Sequence, residues 1–403
     1  MATVLSGERV LDYCWVGAGA LVTQTLALYG AQVIKIESRA RPDNLRLSPP
    51  AKPGQTGLDV SGYFASRNSG KKSFALNMAH PAARDIAAAL ARASTIVTSN
   101  FRPGVMDRWG LGYADVAAAN PAVIYLSMPM QGNDGPHRDY VGFGSTIAAA
   151  AGLVHPSGLP GRAPLGTGTH YPDHVPNPGH ALVALLSAVY RRVRTGRGAQ
   201  IELSQFESTV NLVGPALLAG SAGAPPPAPA GNRVPGAAPH GVFPCREPDT
   251  WCAIAVGTDA QWAALCTALG RADLLADARL GTLLGRKAHE DRLEEEIAAS
   301  SRTVEAWALM RRLQDAGVPA AVVATAQDVL ADEHLRKRGY WVQQDHPAMG
   351  AMTVAGLPFR SDVDEAGPTP APLLGADTWE IAESVLGMHR AEYERLVAAG
   401  VLT

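Results

Sequence analysis

The sequence predicts an α/β protein, a sheet covered by helices, followed by a smaller α+β domain. Three observations lead there. Strand-like and helical runs alternate through the first 130 or so residues, the pattern of a parallel sheet built from βαβ units. Ala, Gly and Pro then crowd residues 219–241, a linker by composition. Beyond it one strand-like run precedes three helical ones. A length of 403 residues is enough for two domains with cores of their own.

Taken in order, Arg9–Val16 reads as a buried strand and Gly17-Ala18-Gly19 as a turn. Ala20–Tyr29 is helical, Gly30 stops it, and Gln32–Glu37 is the next strand. That βαβ unit is expected to be right-handed and parallel. Residues 38–62 are rich in Pro and Gly and read as a long loop over a substrate. Strand Ser73–Asn77, helix His80–Ala93, strand Ser94–Ser99 and turn Asn100–Gly104 follow. A short helix Val105–Trp109, a helical run Tyr113–Asn120 and a strand Ala122–Met128 continue the alternation. After the linker come strand Thr250–Val256 and helices near Asp259–Leu269, Arg286–Ala299 and Thr303–Ala316. Asp345–Gly356 reads as strand and turn, and Leu373–Gly387 and Met388–Ala399 as helices.

Composition narrows the function. A net charge of -2 offers no basic excess for nucleic acid. No apolar run approaches the roughly 20 residues that cross a bilayer, and the N-terminus has no basic flank or cleavage signature. The expected compartment is the cytosol. Cys14, Cys245, Cys252 and Cys266 form no C-x-x-C pair, so they read as buried, reduced thiols and not as a zinc or redox site.

Chemistry concentrates in the stretch from Thr169 to His180, where Asp173 stands among His170, His174, His180 and three prolines. The prolines stiffen the chain as it feeds a helix start. An ionised, exposed carboxylate held there suits a nucleophile; a capping Asp is the alternative. A second signal is the Gly17-Ala18-Gly19 turn with Glu37 twenty residues past Gly17, the layout of a dinucleotide fingerprint, although Val22 stands where a third glycine belongs. A nicotinamide dehydrogenase is one reading of it, plain turn geometry the other. Early loops also carry Arg39, Arg41, Arg46, Arg67, Lys71, Lys72, Arg102 and Arg108, several in turns at strand ends. Such cations clamp phosphates or simply sit in solvent.

Several segments together resemble the family III CoA-transferases. They are Val10-Leu11-Asp12 with Leu28–Glu37, Arg67–Ser73, Ser99–Tyr113 with Asn120-Pro121, Thr195–Leu203, and Ala371–Gly375. The resemblance implies a Rossmann-like large domain built from both chain ends, with a smaller domain inserted. The corresponding divisions are 1–218, a linker 219–241, a small domain 242–330 and a returning segment 331–403. An interlocked homodimer is implied too, working on an acyl-CoA and a carboxylic acid, with coenzyme A as the bound group and no metal. Asp173 matches the family's catalytic position. Val16, Ala18, Arg39, Arg67, Lys71, Asn100, Phe101 and Arg108 match its coenzyme-binding positions, with Ser38 the alternative to Arg39. Gly17, His170 and His174 are the expected substrate contacts. An acyl-CoA racemase on the same fold would instead use a His/Asp pair, drawn from His137, His155 and Asp173. Formyl-transferring members carry Gln where this chain has Gly17, and Pro239–Phe243 here replaces a glycine-rich flap; Pro172 precedes Asp173 where Gly is frequent.

Overall fold

Six short strands with apolar side chains on both faces make the sheet on which the site is built. They are β1 (Arg9–Tyr13), β2 (Gln32–Glu37), β3 (Lys72–Ala75), β4 (Ile96–Ser99), β5 (Ile124–Ser127) and β6 (Ala199–Glu202). All pair in parallel, in the order β3-β2-β1-β4-β5-β6. The structure, a computed structural model, describes residues 3–360 and 367–403. These fall into two units, and the sheet belongs to the first, Met1–His155, Gly166–Pro227 and Arg336–Thr403.

Parallel strands need crossovers, and helices supply them: α1 (Ala18–Leu28), α2 (Gly62–Asn68), α3 (Ala83–Arg92), α4 (Val105–Arg108), α5 (Tyr113–Ala119), α6 (Gly144–Ala150), α7 (Tyr171–His174) and α8 (Pro176–Thr195), with α9 (Gln205–Val210) after β6. Alternate strand residues point to opposite faces. Leu11, Ile34, Phe74 and Val97 pack with Leu90 of α3 and Val116 of α5. Val10, Val33, Ile96 and Ile124 pack with Val22 and Leu26 of α1 and Leu185 of α8. Helical layers on both faces explain why the strands read as continuous apolar runs. The strand order reverses between β1 and β4, and ligands of open α/β sheets bind outside the carboxyl ends at such a point.

The expected loop runs from Ser38 to Gly62 as read, with one short turn inside it. A 3-10 turn occupies Asn44–Leu47 with Asp43 as its cap, and α2 begins at Gly62. The cause is a buried cation. Arg46 forms a bidentate pair with Glu37 at 2.7 and 2.6 Å, reaches Asp59 at 2.7 Å and lies 3.7 Å over the Phe64 ring. The C-terminal segment covers the open side of β3: Asp377 accepts from the Ser73 N–H at 2.8 Å and Thr378 Oγ1 from the Ala75 N–H at 2.9 Å. A sheet edge is thereby closed to other chains. The last helices begin at Thr378 and Arg390, not at Leu373 and Met388. The strand-and-turn expected at 345–356 is the second arm of a hairpin, Trp341–His346 against Gly350–Ala355.

The second unit comprises Pro156–Leu165 and Ala228–Leu335, so 156–165 and 228–241 group with it. Its antiparallel sheet is β7 (His240–Pro244), β8 (Trp251–Ala255) and β9 (Ala320–Val322). Phe243, Ile254, Trp262, Leu293 and Leu309 fill its core. The single helix expected over Arg286–Ala299 divides into Leu283–Ala288 and Glu290–Ser301, because the His289 N–H closes a tight turn on the Arg286 carbonyl at 3.2 Å. All four cysteines are buried and free. Among the described residues no helix is long and apolar enough to cross a membrane.

Candidate active site

The turn between β1 and α1 is held almost entirely by side chains. Asp12 accepts from the Cys14 N–H at 2.8 Å, Asn100 from the Trp15 N–H at 2.9 Å, and Asp43 from the Val16 N–H at 3.1 Å. Asn100 also donates to the Trp15 carbonyl at 2.6 Å. Asp43 is anchored in turn by Lys35, a fully buried pair at 2.8 Å. These contacts hold Val16 at φ 63°, a left-handed conformation that a β-branched residue rarely takes and that costs about 1–3 kcal/mol. Gly19 is needed for a different reason: a Cβ there would lie 2.6 Å from the Cys14 sulfur. Val16→Gly is expected to leave thermal stability within a few degrees of wild type, because relief of strain offsets lost packing of the partly buried side chain. The freed turn should raise the KM of a ligand bound against it roughly tenfold, one factor of 1.4 kcal/mol; an unchanged KM would show that the strain has no role in the site.

Asp173 does not sit on an extended loop. It lies within the helical turn α7, which packs against α1, α6 and α8. Pro172 and Pro176 stand in the first turns of α7 and α8, where a missing N–H costs nothing. Nor is the carboxylate exposed. Only 7% of the residue is accessible, and burial, opposed by the charge of His170, pushes its pKa up to about 6. Among the described residues no hydrogen bond reaches either carboxylate oxygen, so the capping role is absent. Two glycines make its niche. A Cβ at Gly17 would meet Asp173 Cβ at 2.8 Å and Oδ2 at 3.0 Å; a Cβ at Gly144 would meet Oδ2 at 2.6 Å. Gly17 ends the strained turn and caps α1 without a side-chain bond, and the first intrahelical bond is from the Leu21 N–H to the Gly17 carbonyl. The N–H groups that open α1 therefore stand beside this carboxylate without helical partners.

A cavity of about 960 Å³ reaches Asp173. Of the residues expected from sequence, Val16, Gly17, Ala18, Asn100, Phe101, Arg108 and Asp173 line it together. Phe101 sits edge-on to Trp15 at 5.2 Å and to Trp109 at 5.8 Å. Arg41 and Arg102 join Arg108 in the wall, and none of the three has an acidic partner among the described residues. Arg39 is exposed and lies outside the wall, whereas its neighbour Ser38 is within it. Lys71 is buried, bound to Asp12 at 3.1 Å and Asn68 at 2.9 Å, and its burial lowers its pKa. Arg67, His170 and His174 lie outside the cavity wall; the charge of His170 acts on Asp173, and that of Arg67 on His174. His180 bonds Ser208 at 2.7 Å. His137 stacks on Tyr140 at 4.4 Å, and neither His137 nor His155 lines the cavity. Glu37, the ribose ligand of the nicotinamide reading, has both oxygens engaged by Arg46 and one also by Ser73 at 2.8 Å. Sequence reasoning missed Gly144 and the aromatic Phe143 beside it. The Gly142-Phe143-Gly144 run carries no periodicity, and its approach to Asp173 is purely tertiary.

Comparison with known proteins identifies the family. The model of CoA-transferase family III matches residues 5–378. A probable CoA-transferase of Mycobacterium tuberculosis is 31% identical over 98% of the chain, which spans 50% of that longer protein. The succinyl-CoA–D-citramalate CoA-transferase of Chloroflexus aurantiacus is 29% identical over 99% of this chain and 98% of its own. Among solved structures, a CAIB/BAIF family protein from Brucella suis superposes with a TM-score of 0.87 at 28% identity, covering 96% of this chain and 100% of that one.

Proposed function

The chain belongs to CoA-transferase family III, and on that premise we propose that it moves coenzyme A from an acyl-CoA to a carboxylic acid through covalent states of Asp173. One observation carries the reading: a buried carboxylate, free of hydrogen bonds among the described residues, in the wall of a cavity that also holds three arginines without acidic partners among them. Asp173 attacks the thioester carbonyl, the carbon–sulfur bond breaks, and an aspartyl–acyl anhydride and CoA thiolate result. The thiolate attacks the aspartyl carbonyl, releasing the first acid as its carboxylate and leaving an aspartyl-CoA thioester. The acceptor carboxylate then attacks that thioester and expels the thiolate again, which takes the new acyl group and restores Asp173. No proton has to move, so the absence of a histidine pair in the cavity wall is no obstacle. Each tetrahedral oxyanion needs donors, and the free N–H groups at the start of α1 stand at the right carboxylate; one such donor contributes about 3–4 kcal/mol.

Arg41, Arg102 and Arg108 are suited to the coenzyme phosphates, and Phe101 to its adenine. The neighbouring roles fall to the Val16 and Ala18 backbone, with Asn100 positioning that backbone through Trp15. Relatives named for succinyl-CoA, formyl-CoA, oxalate and mesaconate support exchange between a CoA thioester and a free acid. The proposal extends to a Rossmann-like large domain, supported by the strand order, and to a cytosolic enzyme. It extends also to an interlocked homodimer, supported by an apolar stripe on α8. Val183, Leu186, Tyr190 and Val193 follow one helix face and are 68, 43, 64 and 77% exposed, the kind of apolar surface that marks an interaction site when contiguous. Sedimentation is expected at twice the 42.2 kDa chain mass; a monomer at micromolar concentration would contradict it. The reaction itself is tested by mixing an acyl-CoA with an isotopically labelled acid. Label in the thioester pool is expected. Deuterium uptake at the α-carbon without label transfer would mean racemase chemistry instead.

A further inference from the structure

Strand β2 carries a lysine among its apolar residues. Lys35 has no exposed surface, and burial opposes its charge; Asp43, Asp12 and Glu37 outweigh that and hold its pKa above the ordinary lysine value. Its ammonium donates to Asp43 Oδ2 at 2.8 Å and to the Cys14 carbonyl at 2.9 Å. The other oxygen, Asp43 Oδ1, accepts from the Leu45 N–H at 3.0 Å and from the Val16 N–H at 3.1 Å. A second buried pair, Lys71 with Asp12, meets the same turn at the Cys14 N–H. Five successive backbone groups, from the Cys14 N–H to the Val16 N–H, are thus bonded to side chains, three of them to these charges. A fully buried ion pair is a poor source of stability, because both ions lose their hydration and apolar residues of similar volume often serve a fold as well. What Lys35 and Asp43 supply that apolar residues cannot is a set of bonds to this turn. The turn runs directly into Gly17, where an added Cβ would meet Asp173 Cβ at 2.8 Å.

We infer that Lys35 and Asp43 are positioning residues: through Val16 they hold the N–H groups that open α1 in place for the oxyanion formed at Asp173, and so they act on kcat more than on coenzyme binding. The inference rests on the proposed role of Asp173. Neither side chain lines the cavity, so any effect on the reaction passes through the turn. Without the bond from Asp43, Val16 is free to leave φ 63° for the regions a β-branched residue prefers. That rotation carries the following N–H groups with it. A displacement of about 1 Å in groups that meet the reacting atoms lowers the rate about 100-fold, and a donor aimed at an oxyanion acts in the transition state and not on the bound thioester.

The test uses two double variants of the full-length chain. Lys35→Met/Asp43→Leu removes both charges and every bond they make at similar volume; Lys35→Met/Asp43→Asn removes the charges but keeps an acceptor oxygen for the Val16 N–H. Exchange between a CoA thioester and its own labelled acid is followed with the faster of the succinyl and acetyl pairs. The variant with leucine is expected to fold and to lose about 100-fold or more in kcat, while the thioester KM rises by no more than about tenfold. The variant with asparagine is expected to recover kcat to within about tenfold of wild type. A leucine variant with kcat within about threefold of wild type would overturn the inference, as would a KM that rises while kcat stays. An asparagine variant as slow as the leucine one overturns it as well, because the bond to Val16 would then not be the link. If the leucine variant fails to fold, the asparagine variant decides alone: a kcat more than about tenfold below wild type contradicts the inference. Hydroxylamine capture on the Asp173 peptide of wild type is measured in parallel. Capture together with an unimpaired leucine variant sinks only the positioning pair, whereas no capture sinks the reading of Asp173 and the pair with it.

Discussion

Asp173→Asn is expected to lower kcat by at least about 10⁴-fold, since the loss of a nucleophile removes the covalent route as a whole. The same substitution should stabilise the protein. The folded carboxyl titrates at about 6 against an ordinary 3.8 because burial disfavours its charge. Folding therefore favours the protonated form. The stabilising contribution is complete below about pH 4 and is lost as pH rises through 6, so at neutral pH the folded chain carries a buried charge. That rise corresponds to about 3 kcal/mol, a cost that a neutral amide of the same shape largely avoids. Chemical denaturation at pH 7.5 should show Asp173→Asn the more stable protein, and the gap should close toward pH 4. Activity runs the opposite way. Attack needs the anion, so kcat/KM for wild type should fall below about pH 6. A variant both inactive and destabilised at every pH would mean that Asp173 is a structural residue.

Gly144→Val is expected to cost at least about 10³-fold in kcat, with Gly144→Ala intermediate near 10²-fold, the penalty of a displacement of about 1 Å in a reacting group. The backbone at Gly144 is not left-handed, so a side chain there is opposed by its neighbours and not by φ. The first neighbour is Asp173 Oδ2, 2.6 Å from the added Cβ. Gly17→Ala should behave similarly through the opposite wall. Circular dichroism and denaturation midpoints near wild type would separate this displacement from misfolding. Full activity in Gly144→Val would mean that the niche is not where the reaction occurs.

Much of the fold can be read from the chain because local and tertiary signals agree there. Gln32–Glu37 and Asp259–Leu269 lie where periodicity and caps put them. The short strand Ala199–Glu202 is recognisable only as part of a family motif, since four residues carry too little pattern. Residues 38–62 form a loop as Pro and Gly signal, but Arg46 and Asp43 order it through buried charge pairs that composition does not register. Around the site, the residue types are legible and their states are not. Asp173 stands out among prolines and histidines, but its burial depends on Gly17 and Gly144, which reach it only in three dimensions. Arg41 and Arg102 are visible as loop cations; that they share a wall with Arg108, while Lys71 turns inward to Asp12, depends on the packing of α2 against α1.

The most direct measurement is mass spectrometry of the protein after brief incubation with an acyl-CoA and hydroxylamine. A hydroxamate on the carboxyl of Asp173, absent without acyl-CoA, is the expected product. Continued CoA exchange with that peptide unmodified, or the hydroxamate on another residue, would contradict covalent catalysis at this position.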